Sequence, residues 1–183
     1  MSKDYQERHL REEINDIIAN IRRLKEENEQ KFTVKQLEMT KKKLETKLKK
    51  LNDDFKKDNV INFEDLGVDK LYVDEAHSFK NLYLFTKMRN VAGIGQTEAL
   101  KSSDMFMKCR YMDEITGGKG IVFATGTPVS NSMSELYTMQ RYLQFEDLKE
   151  LGLHHFDSWA STFGETTAAM ELSPEGNGYR VKT

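Results

Sequence analysis

The residues best placed to do chemistry lie in Leu71-Tyr72-Val73-Asp74-Glu75-Ala76-His77. A short apolar run ends in two adjacent carboxylates. If the run is a strand, Asp74 and Glu75 project from the carboxyl edge of a sheet, where open α/β folds bind their ligands. A carboxylate there can hold Mg²⁺ through water, and its neighbour can orient and deprotonate an attacking water. Phosphoryl transfer needs such positioning and charge neutralisation more than covalent chemistry. Asp-Glu after an apolar run is common, and many strands simply end in acids. The full Asp-Glu-Ala-His with its preceding strand is more specific.

A second run, Gly120-Ile121-Val122-Phe123-Ala124, leads into Thr125-Gly126-Thr127-Pro128, 50 residues beyond the first. Glycine and small hydroxyl residues at a strand end let a ligand, or the Asp-Glu edge, approach the backbone closely. Alone, this is also the composition of an ordinary turn before a helix. In this order after the first motif, it reads as the second wall of one site.

These motifs need a scaffold. Lys70–Asp74 and Gly120–Ala124 read as strands. Between them, Ser103–Ile115 reads as a helix with Met105, Phe106, Cys109 and Met112 on one side, stopped by Gly117-Gly118. Strand-helix-strand order is the unit of a parallel sheet. Ser132 with Glu135 predicts a capping box opening a helix through Tyr142. A short helix is expected over Asp157–Phe163. In the tail, residues 166–183, the turn cluster Ser173–Gly178 separates two possible strands.

Upstream, Leu10, Ile14, Ile17, Ile21 and Leu24 are spaced 4-3-4-3. Leu44, Leu48, Leu51 and Phe55 are spaced 4-3-4, and Leu37 extends that row. This period places each set on one stripe of a helix, as in a coiled coil. Asn28–Phe32 breaks both patterns, and Thr33 with Gln36 predicts a capping box at the second helix. The expectation is an antiparallel hairpin over residues 3–57. Composition changes over Lys56–Asn62. The expected domains are therefore a helical hairpin, 1–58, and an α/β domain, 59–183.

The net charge of −2 conceals an asymmetry. Residues 31–58 carry ten lysines against Glu38, Glu45, Asp53, Asp54 and Asp58, a net of +5, whereas 59–183 carry 12 basic and 17 acidic residues. The lysines fit a solvated helix face or a contact with phosphate backbone. With 38% apolar and 32% charged residues, no apolar run approaches the roughly 18 residues of a membrane span. Met1-Ser2-Lys3-Asp4-Tyr5 has no apolar core of a secretory signal. The single cysteine, Cys109, excludes an internal disulfide, and a reducing cytoplasm is the expected compartment. His9, His77, His154 and His155 show no metal-ligand spacing.

Asp74-Glu75-Ala76-His77 followed by Lys80-Asn81 resembles motif II of superfamily 2 ATPases of the DEAH-box and Swi/Snf type. Thr125-Gly126-Thr127-Pro128, then Asn131 and Glu135-Leu136, resembles their motif III. Lys87–Gly93 and Ser102–Met107 look closest to the helicase-like proteins of phages, plasmids and conjugative elements, often associated with N-6 adenine DNA methylases. The resemblance covers nearly the whole chain, with the hairpin as an insertion. It implies a partial RecA-like parallel sheet preceded by an antiparallel two-helix coiled-coil hairpin.

The resemblance also implies roles. Asp74 would hold Mg²⁺ and Glu75 would activate water, so that both face the nucleotide. His77 would link the nucleotide site to motif III. Thr125, Gly126, Thr127 and Pro128 would couple hydrolysis to DNA, with Lys80, Asn81 and Asn131 as coupling or DNA contacts. The family also carries a P-loop on a strand before motif II, and none stands there. Gly93-Ile94-Gly95-Gln96-Thr97 has Gln96 where the lysine belongs, falls after motif II, and reads as a loop.

Two expectations follow. In the first, the chain is part of a DNA-dependent ATPase or helicase-like motor. Mg²⁺ and ATP then belong to a parent that supplies the P-loop segment and a second RecA-like domain, and neither binds tightly to this chain alone. In the second, it is a non-enzymatic module of a mobile element, holding nucleic acid or a protein partner through the hairpin, for example to antagonise a host defence system. Neither reading places it in a membrane.

Overall fold

A computed structural model describes residues 1–26, 31–53, 61–86, 99–130, 132–165, 167, 169–173 and 178–182. Phe55, the whole of the 87–93 stretch, the Gly93–Thr97 loop, Asn131 and the centre of the tail's turn lie outside these residues. The chain divides into two compact units, Met1–Val68 and Asp69–Thr183.

The first unit is a pair of long helices, α1 (Lys3–Glu26) and α2 (Lys31–Asp53). Lys3 Nζ reaches the Asn52 carbonyl at 3.2 Å, and Lys25 Nζ reaches Glu38 Oε1 at 3.3 Å. The start of α1 thus lies beside the end of α2, and the helices run antiparallel. Leu10, Ile14, Ile21 and Leu24 are buried from α1, joined by Tyr5. From α2, Val34 and Leu37 are buried, while Leu44, Leu48 and Leu51 are half-buried. The expected capping box at Thr33 is not formed. The helix starts at Lys31, and Thr33 is buried two residues inside it, beside Val34 and Leu37 on the apolar seam. Burial of that turn extends the helix past its sequence signal. Ser2 closes the unit, its backbone N–H and hydroxyl donating to Glu64 Oε1 at 2.8 and 2.7 Å.

The second unit is mixed α/β. Strands β1 (Leu71–Val73) and β2 (Ile121–Phe123) pair in parallel, with Leu71 opposite Ile121 and Val73 opposite Phe123. The connection carries a 3-10 turn, Ala76–Phe79, and helix α3 (Leu100–Thr116). α3 stops where Gly117 and Gly118 take positive φ, 63° and 77°. Gly120 is needed for closeness, since a Cβ there would meet Thr116 at 2.7 Å. Helix α4 (Met133–Leu143) follows, then α5 (Phe145–Glu150) and α6 (Phe156–Phe163). The tail forms an antiparallel pair, β3 (Ala169–Leu172) and β4 (Tyr179–Lys182).

α4 joins two apolar clusters. Tyr137 packs with Leu84, Leu148, Phe156 and Trp159. One and a half turns on, Tyr142 packs with Leu82, Phe106 and Cys109, against Leu71, Ile121 and Phe123 of the sheet. Both phenols are anchored by backbone. The Tyr137 hydroxyl donates to the His154 carbonyl at 2.6 Å, and the Tyr142 hydroxyl lies 3.0 Å from the Phe79 and Ser102 carbonyls. Burial pushes the Cys109 thiol up to about 12, so it behaves as a small apolar side chain. The opposite face of the sheet is open, with Tyr72 69% and Val122 43% exposed.

At the end of α3, Arg110 pairs with Asp113 at 3.0 Å and with Glu146, its guanidinium lying over Phe145. Burial outweighs the guanidinium and raises the Asp113 carboxyl to about 6. A raised carboxyl favours folding below its unfolded pKa of about 3.9, and that contribution is lost as pH rises through about 6. Asp113→Asn should therefore gain in urea midpoint relative to the unmodified chain between pH 4 and pH 7. A difference that does not change over that range would show that burial does not govern this carboxyl.

Candidate active site

The parallel register decides which ends meet. Beyond the paired residues, Ala124 N–H donates to the Val73 carbonyl at 2.9 Å, and Ala76 N–H donates to the Ala124 carbonyl at 3.1 Å. The ladder thus continues one step past each strand and brings Asp74–His77 and Thr125–Pro128 to the same edge. It also sets the backbone of Glu75, whose φ of 51° and ψ of 44° are left-handed. Among the described residues, Glu75 is the single non-glycine with positive φ. That conformation costs roughly 1–2 kcal/mol for a residue with a Cβ. Bonds on both sides hold it: Glu75 N–H to Asp74 Oδ1 at 2.9 Å, and Ser78 N–H to the Glu75 carbonyl at 2.9 Å.

The strained turn brings Glu75 Oε2 to 3.0 Å from His77 Nδ1, and Thr125 Oγ1 lies 3.2 Å from the same nitrogen. A carboxylate can only accept, so the contact with Glu75 requires the proton on Nδ1. Thr125 Oγ1 also accepts from Thr127 N–H at 3.2 Å, which folds the second loop back on itself. Glu75, His77, Thr125 and Thr127 therefore form one chain of contacts across the two loops. Asp74 stands at its rim, exposed, with Oδ1 on the Glu75 amide. Gly126 and Pro128 are exposed, and nothing lies within 4 Å of where a Cβ of Gly126 would be.

Lys80 does not face outward as a free cation. Its side chain is 12% exposed and its ammonium lies 3.0 Å from both Glu135 Oε2 and Ser130 Oγ. Glu135 Oε2 also accepts from Ser130 N–H at 2.6 Å. The expected capping box at α4 is thus half formed. Ser132 does cap, accepting from Ser134 N–H at 3.2 Å, but Glu135 turns to the second loop and to Lys80. An ammonium partner outcompetes the N-cap amide for this carboxylate, because charge-assisted hydrogen bonds are the stronger ones. The sequence marks Glu135 as a capping residue and as part of the motif III resemblance, but not as the partner of Lys80. Asn81 is exposed, and its carbonyl accepts from Ala99 N–H at 3.0 Å, tying the first loop to the start of α3.

Mg²⁺ keeps several waters and uses one or two protein carboxylates beside substrate phosphates. Exposed Asp74, with one oxygen engaged by an amide, fits that donor set. Among the described residues, no three His, Cys, Asp or Glu side chains converge as an all-protein metal cage.

Fold and edge together define an α/β domain with paired carboxylates, a histidine and hydroxyls at the carboxyl end of a parallel pair. The chain belongs to the family described as "Probable helicase domain", whose model matches residues 1–178. It is similar to Defense against restriction protein B of Escherichia phage P1, at 33% identity over 107 residues. That match covers 57% of this chain and 5% of the phage protein, so the chain spans a small part of that relative's length. No solved structure matches it. No helix among the described residues is long and apolar enough to cross a membrane.

Proposed function

We propose that this chain carries the water-activating half of a DNA-dependent ATPase motor of superfamily 2 type, with the phosphate-gripping P-loop supplied by another segment of a longer protein. The observation that carries this reading is the contact chain from Glu75 through His77 to Thr125, closed by the parallel register. Glu75 is placed to take a proton from water, and His77 reports its position to the second loop. Asp74 would hold Mg²⁺ through water. When bound, the ion would neutralise charge on the phosphates. DNA acts on the loop of Thr125–Pro128, which shares His77 with the base.

The test compares ATP turnover, with and without DNA, for this chain and for a longer chain that includes a P-loop. The 183-residue chain is expected to show no measurable turnover. The P-loop chain is expected to turn over ATP faster with DNA. Hydrolysis by the short chain, lost on Glu75→Gln, would overturn the division of labour.

The name of the phage relative favours a second reading, in which the chain is a binding module that antagonises a restriction system, and its Asp-Glu pair is a relic. A gene lacking any in-frame P-loop, together with protection of DNA from restriction by a Glu75→Gln chain, would decide for it.

A further inference from the structure

The outward side of α2 is a lysine field, for which the sequence alone leaves a solvated face and a phosphate contact both open. Lys35, Lys42 and Lys49 recur every seven residues, and Lys43 and Lys50 form a second row beside them. At about 1.5 Å rise per residue, each step within a row is about 10.5 Å. All five are exposed. They lie opposite Leu37, Leu44, Leu48 and Leu51, which turn toward α1. The acids of α2 do not neutralise the field. Glu38 is engaged by Lys25 at 3.3 Å and Glu45 by Lys41 at 3.4 Å, leaving Asp53 at the helix end. None of the five lysines has an acidic partner among the described residues.

We infer that this face of α2 is a docking surface for the phosphate backbone of duplex nucleic acid, read without regard to base sequence. Lysines present mobile point charges rather than the planar forks that recognise a single fixed anion. Their spacing along a row corresponds to about three base-pair steps of about 3.4 Å. The face also lacks the apolar half of a membrane-surface helix. Met39 is the one large exposed apolar side chain among the described residues of this face. This face needs no nucleotide to attract a duplex.

The experiment is fluorescence anisotropy of the full 183-residue chain with a labelled 20–30 base-pair duplex, without nucleotide, across a salt series. With four or five phosphate contacts, the slope of log K against log salt is about −4. Lys42→Gln/Lys43→Gln/Lys50→Gln is expected to reduce that slope by about 2.7, at about 0.9 per contact. Glutamine keeps helix propensity close to that of lysine, so the hairpin should fold, which circular dichroism checks. Lys42→Arg/Lys43→Arg/Lys50→Arg should retain the slope. Lys70→Gln/Lys119→Gln/Lys149→Gln, equal in charge and exposed in the other unit, should leave it unchanged. Equal loss from both glutamine sets, or loss from neither, overturns the proposal. So does binding to phosphatidylserine vesicles, but not to duplex, that depends on the α2 lysines. Duplex binding is read without nucleotide and on the α2 lysines alone, so failure here is separable from failure of the ATPase reading.

Discussion

Glu75→Gln in a P-loop-containing parent is expected to lower ATP turnover by about 10²–10⁴-fold while leaving nucleotide affinity within a few-fold. General-base catalysis contributes about that factor, or roughly 2.7–5.4 kcal/mol at 1.36 kcal/mol per decade. Glutamine keeps the volume and can still accept from His77 Nδ1, which lies 3.0 Å from the carboxylate. It cannot take a proton from water. Asp74 is untouched, so the residue proposed to hold Mg²⁺ remains. The left-handed backbone at 75 is equally strained for either side chain, so folding should be little changed. Steady-state turnover and nucleotide titration, read together, separate the outcomes. A variant that keeps full turnover removes Glu75 from the chemistry, and one that loses nucleotide binding makes it a binding residue instead.

The second large effect is expected at Glu135. Its carboxylate holds Lys80 of the first loop and the Ser130 amide of the second, with the paired side chains only 14% and 12% exposed. Removing one partner of a buried ion pair costs about 3–5 kcal/mol, and the remaining exposure here lowers this to roughly 2–3 kcal/mol. Glu135→Ala should therefore lower the melting temperature by about 10 °C, on the scaling for domains of this size. Lys80→Ala should cost less, because Glu135 keeps the Ser130 amide. Lys80→Met/Glu135→Leu should recover part of the loss, since it leaves neither charge uncompensated. Calorimetry of the unmodified chain, Lys80→Ala, Glu135→Ala and Lys80→Ala/Glu135→Ala gives the coupling. Additive losses would show that the two residues do not act as a pair.

Much of this architecture is legible in sequence, and the legible parts share a cause. The stripes of Leu10–Leu24 and Leu37–Leu51, and the runs Leu71–Val73 and Ile121–Phe123, announce themselves because burial repeats with the period of the backbone. Gly117-Gly118 stops α3 as glycine should. The short helix before Phe163 and the two tail strands also stand where expected. Helix α5 does not announce itself. It spans six residues with Phe145 and Leu148 as its only large apolar side chains, too little for a period. The site was legible in residue type and order, not in contacts. That Lys80 reaches Glu135 rather than standing ready for DNA depends on the first loop and the start of α4, 55 residues on, being folded together. The anchoring of Tyr142 and Arg141 is hidden for the same reason. Their partners are carbonyls of Phe79, Ser102 and Tyr83, and a carbonyl carries no sequence signature.

The antiparallel hairpin has a consequence for how such proteins can diverge. Ser2 bonds to Glu64, and Lys3 reaches Asn52, so the chain enters and leaves the arm at one place. Whatever happens toward the far tip is invisible at that junction. Removing or adding one heptad from each helix shifts the tip by about 10.5 Å and returns the apolar stripes nearly to register, with about 20° of drift per heptad. Length in the arm is thus a nearly neutral variable for the fold, open to drift or selection in steps of fourteen residues. The same arithmetic lets the reach of the hairpin be reset while its own apolar seam is kept.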